Sequence, residues 1–256
     1  MQDLLIDHPA EGVVRLRINR PEARNSLSVD LRKKLVAELA RLDTDKSVRA
    51  VILAGGERVF AAGADISELK GTSPIGMMQR ATNKMWSAIA GFSKPLIAAV
   101  RGAAFGGGFE LAMSTDIIVA GRKARFALPE VTLGLIPGGG GTQRLIRLAG
   151  KHVAMDILMS GRVLSAEEAL GFGIVSRCVD DDDLEDAAVE LASTIAGKAP
   201  LAIQLAKEAA LLGADAPLAS GLALETRAIQ VLFDSDDVDE GTAAFFEKRA
   251  PNFTGQ

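Results

Sequence analysis

Two glutamates stand beside runs of glycine in a chain short of other catalytic side chains. In "AFGGGFELA" Gly106, Gly107 and Gly108 lead through Phe109 into Glu110, and in "FALPEVTLGLIPGGGG" Glu130 follows Pro129 and precedes Gly138 to Gly141. Glycine strips side chains from the space over its amide and admits backbone angles closed to other residues, and a helix start adds its positive end, so each run can receive an anionic oxygen. A third stretch, "VFAAGADISEL" at 59–69, puts small residues around Gly63 just before a helix-like start at Asp65 or Ile66. Amides aimed at a developing oxyanion can each contribute about 3 kcal/mol to a transition state, and two carboxylates can divide acid and base duties when apolar surroundings raise one pKa. The combination suits chemistry through an enolate. Each segment also has a plainer reading: glycines for close packing, Glu110 as a capping carboxylate, Glu130 as a solvated turn residue, and the Ala-Gly turn as a tight corner.

Other chemistries find few tools. No lysine and hydroxyl pair follows the glycines as in a phosphate-binding P-loop, and their spacing is not that of a dinucleotide fingerprint. The chain has no tyrosine and only two histidines, His8 and His152. A multi-histidine metal site and a tyrosine acid therefore lack their residues, and no metal is expected. A serine hydrolase would need Ser114 or another serine beside a histidine, but His152 falls on a helical pattern with no identifiable partner.

The elements that must position these residues are legible in outline. "GVVRLRIN" at 12–19 alternates as a strand does, and "RAVILAG" and "PLIAAVRG" are apolar runs closed by glycine, as buried parallel strands are. "SVDLRKKLVAELARLD" at 28–43 opens on a serine able to cap and sets Leu31, Leu35 and Leu39 on one stripe, and "IGMMQRATNKMWSAIAGF" is a second helical pattern. Strand signals stop near residue 180, where Asp180 to Asp183 solvate a turn and place negative charge at the next helix start; the remaining residues read as successive helices. This is an α/β layout with a core over 1–195 and a helical C-terminal region over 196–256.

The 256 residues carry a formal charge of −4 without a basic block, so no nucleic-acid footprint is visible. A lone cysteine, Cys178, forms no internal bridge, the N-terminus lacks the pattern of an export signal, and no window approaches the roughly 18 apolar residues of a membrane span. A cytoplasmic, soluble protein without membrane partners is expected.

Together "RPEARNSLS", "VFAAGADISEL", "KPLIAAVRGAAFGGGFELAMSTDIIVA", "FALPEVTLGLIPGGGGTQRL", "GRVLSAEEALGFGIVSRCV" and "EGTAAFFEKRAPNF" resemble the enoyl-CoA hydratase/isomerase, or crotonase, family over essentially the whole chain. The resemblance implies a spiral of ββα units, a helical C-terminal region used in trimerisation, and a homotrimer or a hexamer made of two trimers. It implies an acyl-CoA thioester substrate, with coenzyme A part of that substrate and no separate cofactor. By motif position the thioester oxygen would lie between the amides of Ala64 and Gly107. Hydratases of the family keep glutamates at the positions of Glu110 and Glu130, whereas many isomerases keep only the second. Reversible syn hydration of a trans-2-enoyl-CoA to a 3-hydroxyacyl-CoA is therefore the implied reaction, with Glu110 activating water and Glu130 giving a proton to C2. Carnitinyl-CoA dehydratases, two-glutamate isomerases and feruloyl-CoA hydratase/lyases share much of the pattern, and a non-catalytic acyl-CoA binder would keep the loops but lose an acid. The resemblance further places Ala62, Asp65 and Ile66 along the coenzyme channel, Arg24 and Lys248 within reach of its phosphates, and the Gly138 amide near the water or Glu130. Phe109, where the family also shows small residues, has no reason in the sequence.

Overall fold

The computed structural model describes residues 2–68, 71, 73–79 and 82–256. It begins with an antiparallel pair, β1 (Leu4–Ala10) and β2 (Val13–Ile18), and helix α1 (Val29–Thr44). Three turns of one repeating pattern follow. The first runs β3 (Ala50–Ala54), β4 (Val59–Ala61), α2 (Pro74–Gln79) and α3 (Thr82–Ala90); the second β5 (Leu96–Val100), β6 (Ala103–Phe105) and α4 (Gly107–Met113); the third β7 (Ile117–Gly121), β8 (Arg125–Ala127) and α5 (Gly141–Ser160). In each turn the first strand joins one sheet and the second joins another. The sheets are ordered β1-β2-β3-β5-β7-β10 and β4-β6-β8-β9, closed by β9 (Leu164–Ser165), helix α6 (Ala166–Gly171) and β10 (Arg177–Val179). Helices α7 (Leu184–Ala196), α8 (Pro200–Ala214), α9 (Leu218–Leu232) and α10 (Asp236–Glu247) complete the chain. The spiral of ββα units is thus the observed architecture.

From β2 to β10 the larger sheet is parallel, and its central strands β3 and β5 are buried along their whole length. That is why they read as unbroken apolar runs rather than alternating ones. Ile52, Ile97 and Val119 pack under Leu184, Ala188 and Leu191 of α7, while Val51, Leu53 and Ala98 face the main core with Leu31, Leu35 and Leu39 of α1. Ser28 caps α1 as expected, its Oγ accepting the Leu31 N–H at 3.2 Å.

The helical pattern expected over 75–92 is helical through α2 and α3, with Arg80 and Ala81 between them outside the described residues, as is Leu69 of the 59–69 segment. Strand β1 has no clear sequence signal because it is an edge strand carrying Pro9 and mostly exposed side chains. The acidic run is more than a solvated turn: Asp180 accepts Arg122 Nε at 2.6 Å and Asp181 accepts the Lys123 amide at 3.2 Å. No described helix is long and apolar enough to cross a membrane.

Candidate active site

The three glycine-bearing segments meet at one cavity of about 450 Å³, whose wall includes Ala64, Gly107, Glu110, Glu130 and Gly138. Strand β4 delivers the Gly63–Ala64 corner and the adjacent β6 delivers Gly106 and Gly107, so two strand ends of the smaller sheet open side by side. A Cβ built on Gly107 would lie 3.4 Å from the Ala64 nitrogen. Neither the Ala64 nor the Gly107 amide donates a hydrogen bond within the described residues. Gly107 owes this to being the first residue of α4, where an amide has no intrahelical acceptor. Ala64 owes it to an isolated bridge in which Leu27 donates to the Gly63 carbonyl at 2.7 Å and leaves the next nitrogen unspent.

Two glycines of the triplet are required sterically. Gly106 sits at φ +51°, donates to the Ala127 carbonyl at 2.8 Å, and would press a Cβ to 2.9 Å from Glu130 Oε1. Gly108 would drive a Cβ to 2.1 Å from the Ala61 carbonyl oxygen, so its bareness seats α4 on β4. Phe109 finds its reason here: it is fully buried and its ring lies 5.2 Å from that of Phe126 on β8. The contact ties the helix bearing Glu110 to the strand that runs into Glu130.

Glu110 is 3% exposed. Its Oε1 accepts the amides of Gly139 and Gly141 at 2.7 and 2.8 Å, so the four-glycine run supplies donors to the first glutamate. Burial raises its pKa above the ordinary carboxylate value, and those amides and the positive charges of Arg32 and Arg144 offset only part of that rise. Gly138 itself lines the cavity, and its amide donates to no acceptor among the described residues. Glu130 opens a short 3₁₀ turn, Glu130–Leu133, after Pro129. Its Oε2 is buried with no partner, and burial, aided by the charge of Glu110, pushes its pKa up to about 7. Two neighbouring carboxyls are thus held in unlike environments.

A pKa raised above that of the unfolded chain means the folded state is favoured while Glu130 is protonated, and this contribution is lost as pH rises through about 7. Glu130→Gln is therefore expected to melt at a higher temperature than the wild type at pH 8, with the gap closing by pH 5. A calorimetric Tm series that showed no pH-dependent gap would contradict the burial of this carboxyl.

Of the other residues singled out in the sequence, Ala62 and Ile66 line the cavity. Asp65 lies beside it with its carboxylate engaged by Ser67 Oγ at 2.7 Å and Arg20 at 3.4 Å, which lowers its pKa. Arg24 is exposed with φ +50° and reaches this region only through its carbonyl, which accepts the Ala62 amide at 3.2 Å. Lys248, exposed at the end of α10, does not line the cavity. Ser114 and His152 form no pair: the Ser114 hydroxyl is buried and donates to the Glu110 carbonyl at 2.8 Å, and His152 is exposed on α5. Sequence reasoning missed Arg32 and Trp86 in the wall, which lie on helix faces that read as ordinary core and surface positions.

A family model described as enoyl-CoA hydratase/isomerase matches residues 8–256. Among curated relatives, a 2,3-dehydroadipyl-CoA hydratase of Escherichia coli K12 is 41% identical over 256 residues, covering 100% of both chains. A probable enoyl-CoA hydratase of Rhizobium meliloti is 45% identical over 238 residues, 93% of each chain. A crystal structure of an enoyl-CoA hydratase from Bacillus anthracis superposes with a TM-score of 0.96 at 38% identity, covering 100% of both chains. The chain belongs to the enoyl-CoA hydratase/isomerase family. Within it, the chain is a hydratase of the crotonase fold, an enzyme whose class acts on acyl-CoA thioesters.

Proposed function

We propose that the enzyme hydrates a trans-2-enoyl-CoA reversibly to a 3-hydroxyacyl-CoA by syn addition, needing no cofactor beyond the coenzyme A carried by its substrate. The observation that carries this reading is the meeting, in one cavity, of two uncommitted amides and two carboxyls, one accepting two glycine amides and the other with a buried oxygen that has no partner. The thioester oxygen accepts from Ala64 and Gly107, which lowers the cost of negative charge as the C2–C3 double bond opens. Glu110, with Oε1 held by Gly139 and Gly141, takes a proton from water through its other oxygen as the water oxygen bonds to C3. Glu130, entering protonated, gives its proton to C2, and the departing charge of the enolate closes into the new C–H bond. Addition from one side follows when both carboxyls flank the same face of the acyl group. Ala62 and Ile66 border the bound thioester, while Asp65 shapes the corner through Ser67 and Arg20.

Hydration starts with the single proton of the pair on Glu130 and ends with it on Glu110, so both directions need the same singly protonated dyad. The kcat/KM profiles for hydration and dehydration are accordingly one bell, and its alkaline limb falls from about pH 7 as Glu130 loses its proton. Crotonyl-CoA hydration, followed as loss of the conjugated-thioester absorbance, checks this. A silent assay would end the hydratase reading, and activity that stays level to pH 9 would remove Glu130 as the acid.

The same reading gives α8, α9 and α10 a partner. Phe233, Phe245 and Phe246 are 74 to 77% exposed, and Leu211, Leu212 and Leu222 are also exposed on these helices. We propose that copies of the chain cover this surface in a homotrimer or a hexamer, that Arg24 reaches a coenzyme phosphate, and that Lys248 does likewise across a subunit boundary. Sedimentation as a monomer at micromolar concentration would refute the assembly.

A further inference from the structure

Apart from its two glutamates the cavity wall is chiefly apolar side chains and main chain, and the only cation among the described lining residues is Arg32 of α1. It is 9% exposed. Taking a guanidinium out of water costs several kcal/mol unless acceptors and negative charge answer it. Its Nε donates to the Leu27 carbonyl at 2.8 Å. Leu27 is the residue whose own amide holds the Gly63 carbonyl and whose bridge partner is Ala64. One side chain therefore braces the corner that presents the Ala64 amide and also puts a fixed charge into the cavity of Glu110.

Resting on the hydratase reading, we propose that Arg32 is a positioning residue for the reaction, setting the Ala64 corner through Leu27 and holding a positive charge in the cavity that Glu110 lines. The charged groups acting on Glu110 come from three other elements: Arg32 from α1, Arg144 from α5, and Glu130 from the turn after β8. Arg32 is the larger favourable charge on Glu110 after the glycine amides. Arg144 does not line the cavity, and it interacts with Asp215 as well. Of these two arginines only Arg32 lines the cavity with Glu110. Lysine at this position keeps the charge and loses the planar Nε donor, whereas methionine keeps the stem and loses both, so the two roles can be separated.

The test compares Arg32→Met and Arg32→Lys in the full-length enzyme, with crotonyl-CoA hydration measured from pH 5 to 9. An infrared titration of the Glu110 carboxyl, assigned by subtracting the Glu110→Gln spectrum, runs beside it. In Arg32→Met the acid limb of kcat/KM and the infrared midpoint both move up by about one pH unit, which is a tenfold loss of kcat/KM on the acid side. In Arg32→Lys both stay near the wild type while kcat falls through the loosened corner. Equal kcat losses in the two variants with no movement of either midpoint would reduce Arg32 to packing and overturn the proposal. A loss in Arg32→Met confined to acyl-CoAs bearing a distal carboxylate would make it a substrate contact and overturn it too. Should Arg32→Met fail to fold by circular dichroism, Arg32→Gln carries the same expectations. The infrared midpoint reads Glu110 without turnover, so it still judges Arg32 if the hydratase reading fails.

Discussion

Glu130→Gln is expected to lower kcat for crotonyl-CoA hydration by about 10² to 10⁴-fold while KM stays within a few-fold, and Glu110→Gln to do the same. Glutamine preserves the volume of each side chain and can still accept from Gly139 and Gly141 through its carbonyl, so the cavity and the Ala64 and Gly107 amides persist. What disappears is the proton donor at C2 in one case and the base for water in the other. The losses should not multiply in the double variant, because either missing carboxyl already breaks the proton circuit. Steady-state kinetics of the two single variants and the double variant measure this directly. A single variant that retains wild-type kcat would show that its carboxyl takes no part in the chemistry.

Gly108→Ala is expected to cost about 1 to 3 kcal/mol of stability and about 10²-fold in kcat/KM, an activity loss out of proportion to one methyl group. The added Cβ meets main chain, the Ala61 carbonyl oxygen at 2.1 Å, so no side-chain rotation relieves it. Helix α4 must shift away from β4, and it carries both the Gly107 amide and Glu110. The same displacement strains the Phe109–Phe126 contact that links the helix to β8. Denaturant titration together with hydration kinetics on the folded fraction separates the two effects. Wild-type stability with wild-type kcat/KM would mean that the seating of α4 on β4 is not what aligns the site.

The sequence made the strands of the larger sheet legible because burial on both faces leaves long apolar runs, as in β3 and β5. It did not reveal β4, β6 and β8, each three residues long, since so short a run carries no period. Those are the strands that open onto the cavity. The glycine segments and the two glutamates could be picked out as bare backbone beside an acid, whereas the particular amides of Ala64 and Gly107 came from the family resemblance alone. The division of labour among Gly138 to Gly141 could not be picked out: only the fold shows that the amides of 139 and 141 converge on Glu110. Arg32 was hidden for a related reason. On a helical stripe an arginine beside Leu31 reads as solvent-facing, and its burial depends on α1 turning one flank toward a cavity built by distant segments.

A crystal structure of the enzyme with a 3-hydroxyacyl-CoA bound tests the arrangement most directly. The expected result places the thioester oxygen about 3 Å from both the Ala64 and the Gly107 nitrogens, with the carboxyls of Glu110 and Glu130 on the same side of the C2–C3 bond. A thioester oxygen bonded elsewhere, or the two carboxyls on opposite faces of the acyl group, would contradict it.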